Sequence, residues 1–171
     1  MTRTDFRVGI ASLARQGSRR EHRRGQIAGL AVSGSRVRPG SEIDVNVLLE
    51  PVTHGVMVSG RVDAQWEGEC RRCLGQATGA LHAEVRELYE EHSSGDETYP
   101  LAGDELDLEP LARDAVLLEL PQAPLCREEC RGLCPTCGAD LNEVRCECPP
   151  AGGDPRWAAL DSLRQTDSHG S

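Results

Sequence analysis

Lysine is absent from this 171-residue chain, aromatic residues make up 3% of it, and no apolar run reaches the roughly 20 residues needed to cross a bilayer. Each absence excludes something. Without lysine there is no phosphate-cradling Gly-rich loop ending in Lys, and neither a Gly-x-Ser-x-Gly elbow nor a His-Glu-x-x-His helix occurs. His22, His54, His82, His92 and His169 show no paired ligand spacing. The many carboxylates have no His or metal pattern set beside them and read as a solvated face, so the sequence points away from an enzyme. Met1 to Gln16 has no apolar core followed by a small-residue cleavage site. With no spanning segment, the expectation is a cytoplasmic protein that makes no use of a membrane.

The scarcity of rings also constrains the core. Phe6, Trp66, Tyr89, Tyr99 and Trp157 are the whole aromatic complement, and 38% of residues are hydrophobic, so a core must rest on Val, Leu, Ile and Ala. The length suits one ordinary domain, or one domain plus a small metal-clipped appendage, with a single larger core as the default. Charge is unevenly spread. Residues 1–40 carry nine Arg against Asp5 and Glu21, a net of +7, which leaves −16 on the remainder of a chain whose total is −9. Because every side-chain cation must be Arg, arginine enrichment alone says little. The group Arg19, Arg20, Arg23 and Arg24 reads either as solvated surface or as a contact for RNA phosphates.

What is present is an alternating texture. Val8, Ile10, Leu13 and Ala14 are spaced loosely like one helical face, and the polar run Gln16–Gln26 reads as a mobile loop. Ile43, Val45, Val47 and Leu49 alternate with polar residues, Val56, Val58 and Val62 repeat the pattern towards Trp66 and Cys70, and Leu81, Ala83, Val85 and Tyr89 repeat it again after a turn over Gly75–Gly79. Three antiparallel strands follow. Asp107 can cap a helix through Pro110, Leu111, Val116 and Leu118 that Pro121 stops. Asp154 and Pro155 open a short amphipathic helix with Trp157, Leu160 and Leu163. The fold class is α+β: a small antiparallel β-sheet body with a few helices and a Cys-rich, zinc-clipped C-terminal segment. The boundaries are 1–121 for the body with its basic arm, 122–165 for the Cys-rich segment and last helix, and 166–171 for a disordered tail.

Eight cysteines in a reducing compartment read as metal ligands before disulfides. Cys134-Pro-Thr-Cys137-Gly138 is a zinc knuckle: two thiolates in a tight turn face one ion at about 2.3 Å, and Gly relieves the backbone behind them. Cys70-Arg-Arg-Cys73 has the same spacing. A thioredoxin-like dithiol would need a strand running into a helix, and the flanks here are sheet and glycine turn. Two partitions remain open. One joins Cys70, Cys73, Cys126 and Cys130 in one site and Cys134, Cys137, Cys146 and Cys148 in another; the other draws a single C-terminal zinc from the last six cysteines and leaves Cys70 and Cys73 free. One or two structural zinc ions are therefore expected. Four thiolates close the coordination shell, which suits a fold clip and not water activation.

The order of Cys70-Arg-Arg-Cys73-Leu74, Asp107-Leu-Glu-Pro-Leu111, Leu120-Pro121, Leu133-Cys-Pro-Thr-Cys-Gly-Ala-Asp-Leu-Asn142 and Asp154-Pro-Arg-Trp-Ala-Ala-Leu160 resembles the YceD family. The resemblance implies a bacterial ribosome-assembly factor supporting accumulation and processing of large-subunit (23S) ribosomal RNA. Its partners would be that RNA or a pre-ribosomal particle, and a large-subunit ribosomal protein. A rival reading is an acidic chaperone for a basic ribosomal protein, using the stretch from Glu84 to Glu119 with Glu90, Glu91, Asp96 and Glu97. A thiol oxidoreductase through Cys70 and Cys73 is a third.

Overall fold

The computed structural model describes residues 6–91 and 98–149. The expected helix around Trp157, the tail, Asp96, Glu97, His92 and His169 lie outside them.

Alternating Val, Leu and Ile produce three long strands. These are β4 (Ile43–Val52), β5 (Gly55–Glu69) and β6 (Gln76–Glu90), preceded by β1 (Arg7–Gly9), α1 (Leu13–Gln16), β2 (Arg19–Gly25) and β3 (Ser35–Val37). After them come β7 (Tyr99–Pro100), β8 (Glu105–Asp107) and α2 (Glu109–Glu119). The main sheet runs β2-β4-β5-β6-β7, with β3 paired to the far end of β5. All its pairs are antiparallel except β6–β7. β4 and β5 form a hairpin about Thr53–His54, where Val52 pairs Gly55. β5 and β6 pair without a break from Gly55↔Glu90 to Glu69↔Gln76. The turn of this second hairpin is therefore Cys70–Gly75, not Gly75–Gly79, and Gly79 lies inside β6 opposite Trp66.

One face of the sheet is apolar. Ile43, Val45, Val47 and Leu49 of β4, Val56, Val58 and Val62 of β5, and Leu81, Ala83, Val85 and Tyr89 of β6 are buried there. Leu111, Ala112 and Val116 of α2 close the core over β5 and β6. The N-cap position is Leu108 and not Asp107 as expected, and it has no side-chain cap; the Asp107 carboxylate, one residue earlier, accepts the Glu109 N–H at 2.9 Å and satisfies one orphan donor at the helix start. Tyr89 stacks on Tyr99 with ring centroids 5.1 Å apart, and Phe6 is buried, so these rings serve packing.

Two stretches depart from the sequence expectation. Val8 belongs to a strand and not to a helical face: β1 pairs with β8, Val8 opposite Leu106. The run expected to be a loop contains β2, which pairs along β4 from Arg19↔Leu49 to Gly25↔Ile43. Its side chains show no apolar alternation because it is an edge strand. Arg19, Glu21 and Arg23 lie on the core-facing side, with Glu21 held by Arg19 at 2.7 Å and Arg23 at 2.8 Å. Charges on the inner side of an edge strand discourage pairing with a further strand. Among the described residues, no helix is long and apolar enough to cross a membrane.

Candidate metal centres

The Cys70–Cys73 turn closes the β5–β6 hairpin as a knuckle, with Cys70 N–H donating to Gly75 O at 2.7 Å and Leu74 N–H to Cys70 O at 2.9 Å. Past α2, the chain returns to this turn. Arg71 N–H donates to Pro124 O at 3.0 Å, and the Arg72 guanidinium donates to the carbonyls of Glu128 and Cys130 at 3.0 and 2.9 Å. These bonds bring Cys126 and Cys130 against Cys70 and Cys73. Cys70 and Cys130 are buried with Ala77, and Trp66 and Leu125 pack on them.

The second group is more local. Cys134 N–H donates to Ala139 O at 2.8 Å and Gly138 N–H to Cys134 O at 2.9 Å, which shapes the second knuckle; Cys146 and Cys148 fold back onto it. The two knuckles differ at one place. Gly138 follows the second pair at φ 74°, whereas the corresponding residue of the first is Leu74 at φ 60°, with its side chain 58% exposed. A leucine in the left-handed region carries a steric cost that glycine does not.

The eight cysteines thus gather four and four: Cys70, Cys73, Cys126 and Cys130, then Cys134, Cys137, Cys146 and Cys148, with the ligand atoms of each group within 4.8 Å of one another. This is the first of the two arrangements left open by the sequence. All eight are free thiols. Cys70 and Cys130 sulfurs stand 3.8 Å apart and those of Cys73 and Cys126 3.7 Å apart. A regular tetrahedron with ligand bonds of about 2.3 Å has edges of about 3.8 Å, so a zinc-sized ion fits, while a disulfide would need about 2.05 Å.

The electrostatics favour a cation. Burial raises the Cys70 thiol, but the N–H groups of Cys73, Cys126 and Arg72 outweigh it and bring its pKa to about 6. The Cys137 and Thr136 N–H groups bring Cys134 to about 6 in the same way. Burial and the neighbouring Cys130, Cys73 and Cys70 push Cys126 up to about 12, and Cys137, with burial, pushes Cys148 up to about 12. Each group therefore contains thiols lowered and thiols raised by their surroundings, and a divalent ion would favour the ionised form of all four.

Sequence reasoning missed Asn142. Its side-chain N–H donates to Cys130 Sγ at 3.4 Å and to Asp140 Oδ1 at 2.7 Å, while its Oδ1 accepts Arg131 N–H at 2.8 Å. The signal was present in Asp140-Leu-Asn142, because Asp140 Oδ1 also accepts the Asn142 backbone N–H at 2.8 Å, an Asx turn.

The arginine group is placed differently from a free arm. Arg19 and Arg23 bracket Glu21, and Arg24 contacts Asp44 at 2.5 Å on the outer face. Arg20 is exposed on that outer face, opposite Leu48, with no ion pair among the described residues. His22 lies 2.9 Å from Asp44 and His82 contacts Asp63, so both histidines belong to the outer face of the sheet and not to a metal cluster.

Comparison with known proteins gives matches of two kinds. The model of the family described as "Large ribosomal RNA subunit accumulation protein YceD" matches residues 58–164, a span containing all eight cysteines. An uncharacterized protein of Mycobacterium tuberculosis is 38% identical over 140 residues, covering 75% of this chain and 65% of the relative. One of Mycobacterium leprae is 34% identical over 135 residues, covering 75% and 62%. The chain thus spans a little under two thirds of the length of these relatives. A chloroplastic protein of Arabidopsis thaliana named "Large ribosomal RNA subunit accumulation protein YCED homolog 1" is 34% identical over 67 residues, covering 39% of this chain and 21% of the relative. No solved structure matches.

Proposed function

The chain belongs to the YceD family, and from that premise we propose that it is a non-enzymatic, cytoplasmic factor supporting accumulation of large-subunit ribosomal RNA, with two structural zinc ions. The observation that carries the metal part is the grouping of eight thiols into two sets of four, the ligand atoms of each set within 4.8 Å of one another. Cys70, Cys73, Cys126 and Cys130 would hold one ion, and Cys134, Cys137, Cys146 and Cys148 the other. Four sulfur ligands leave no position for substrate, so each ion clips chain to chain. The first ties the β5–β6 hairpin to the segment after α2, and the second folds that segment on itself. A redox role for Cys70 fits poorly, because this thiol is fully buried and out of reach of a disulfide on another molecule.

RNA contact in this reading runs through phosphates, since the described rings are packed into the core or half-buried against it and are not free to stack on bases. Of the four arginines singled out, Arg20 is the one available without breaking an ion pair. Arg19, Arg23 and Arg24 would have to exchange a carboxylate for a phosphate. Binding to large-subunit RNA fragments should therefore weaken steeply with salt, and Arg20→Ala should weaken it more than Arg19→Ala or Arg23→Ala. Salt-independent binding, or no binding by the zinc-loaded protein, refutes direct RNA contact.

One observation favours the chaperone reading instead. Glu90, Glu91 and Asp104 rim a cleft of about 630 Å3 with Leu13, Val52 and Leu101 in its walls, which suits a basic segment with an apolar anchor. Charge reversal at Glu90 and Glu91 should abolish binding of a ribosomal protein if this cleft is used and leave RNA binding unchanged.

A further inference from the structure

Asn142 stands in the loop between the two cysteine pairs of the second group, yet its side chain points at a sulfur of the first. Its amide donates to Cys130 Sγ, and its position is fixed three times over: Asp140 Oδ1 accepts both its backbone and its side-chain N–H, and Arg131 N–H donates to its Oδ1. The surrounding backbone locks the same junction. Leu141 N–H donates to Gly132 O at 2.9 Å, and Leu133 N–H donates to Arg72 O, in the first knuckle, at 3.1 Å. Gly132, in the link between Cys130 and Cys134, sits at φ 72° where a Cβ would lie 2.9 Å from that Arg72 oxygen, so the link runs close against the first knuckle.

From this arrangement, and resting on the two-site reading above, we propose that Asn142 couples the two metal sites, so that an ion in either one raises the affinity of the other. The physical chain is short. An ion held by Cys134, Cys137, Cys146 and Cys148 pins both ends of the 138–145 loop, and the pinned loop presents the Asn142 N–H to the Cys130 thiolate. A hydrogen bond to a coordinating sulfur from outside the ligand set steadies the ligand, and removing such partners typically weakens metal binding about 10- to 100-fold. Coupling is reciprocal by thermodynamic necessity: an ion on Cys130 fixes Asn142, and with it the loop that carries the second site. Asn142 is a positioning residue and ligates nothing itself.

The test is cobalt(II) titration of the reduced full-length chain, read by the thiolate-to-cobalt absorption of a tetrahedral four-sulfur site, in competition with a chelator. Wild type should take up two ions in one steep step. Cys134→Ser, which leaves one complete site, should bind that one ion at least tenfold more weakly than wild type binds its first pair on average. Asn142→Leu is close in size, adds no charge beside Asp140 and loses the donor to sulfur; it should bind two ions in two separated steps, the weaker site shifted about tenfold or more. Two ions bound independently by wild type, or an Asn142→Leu titration superimposable on wild type, would overturn the coupling while leaving the two-site reading intact. Absence of cobalt uptake by wild type would overturn both.

Discussion

The sheet and the cysteine-rich segment are held together by different physics. In the sheet, β4, β5, β6 and α2 bury one continuous apolar cluster, with Val58, Val62 and Val116 wholly inside. Between residues 122 and 149 the buried members of the hydrophobic class are two cysteines, Cys130 and Cys134. A stretch of that length with so little apolar burial cannot offset the entropy of ordering its backbone. The eight thiols gather where they could supply cross-links through metal. The lesson is that one chain can spend its apolar residues on a body and its cysteines on an appendage, with a single hairpin turn, Cys70–Gly75, belonging to both.

Metal removal should separate the two regions most completely. In reduced protein treated with chelator, hydrogen exchange at the amides of Leu133, Cys134, Gly138 and Leu141 should rise to open-chain rates, while β5 and β6 keep their protection near Val58, Val62 and Val85. Uniform loss of protection would mean that the sheet depends on the metal too. The converse break is in the core: Leu111→Ala, at a side chain 1% exposed, should cost about 2–5 kcal/mol in denaturant unfolding of the body and leave metal content unchanged.

A smaller effect sharpens the comparison between the knuckles themselves. Leu74→Gly gives the first knuckle the residue type that Gly138 gives the second, and should favour it by about 1 kcal/mol, seen as tighter metal retention in chelator competition. Weaker retention would show that the exposed leucine side chain supports the site in some other way.

The smallest effect belongs to the sheet's outer face. Partial burial raises the Asp44 carboxyl, but hydrogen bonds from Arg24 and His22 outweigh it and hold the group below its ordinary 3.8. A carboxylate depressed by folding stabilises the protein above its unfolded pKa, and that contribution fades as pH falls through the folded value. Wild type should therefore lose a small increment of stability below about pH 4 that Asp44→Asn lacks.

These contrasts also explain what could be read from the sequence. β4, β5 and β6 were legible because each carries a full apolar alternation on one face, and α2 because Asp107, Pro110 and Pro121 punctuate it. β1 and β2 were not. Val8 acquires its strand from Leu106 far along the chain, and Arg19–Gly25 acquires its strand from the backbone edge of β4, neither of which leaves a local period. The Cys134–Cys137 knuckle was legible on spacing, but its partners and those of Cys70 were not, since Cys73 meets Cys126 across 53 positions of sequence. The arginine-rich run looked like a free basic arm because composition does not reveal that Glu21 and Asp44 stand beside it.

The central claim, two closed four-thiolate sites dividing the eight cysteines, is tested most directly by native mass spectrometry of reduced protein at saturating zinc, for wild type, Cys70→Ser, Cys134→Ser and the double variant. The account predicts two zinc ions in wild type, one in each single variant and none in the double. A wild-type chain holding one ion that is lost with Cys134→Ser and kept with Cys70→Ser, or holding none, would contradict it.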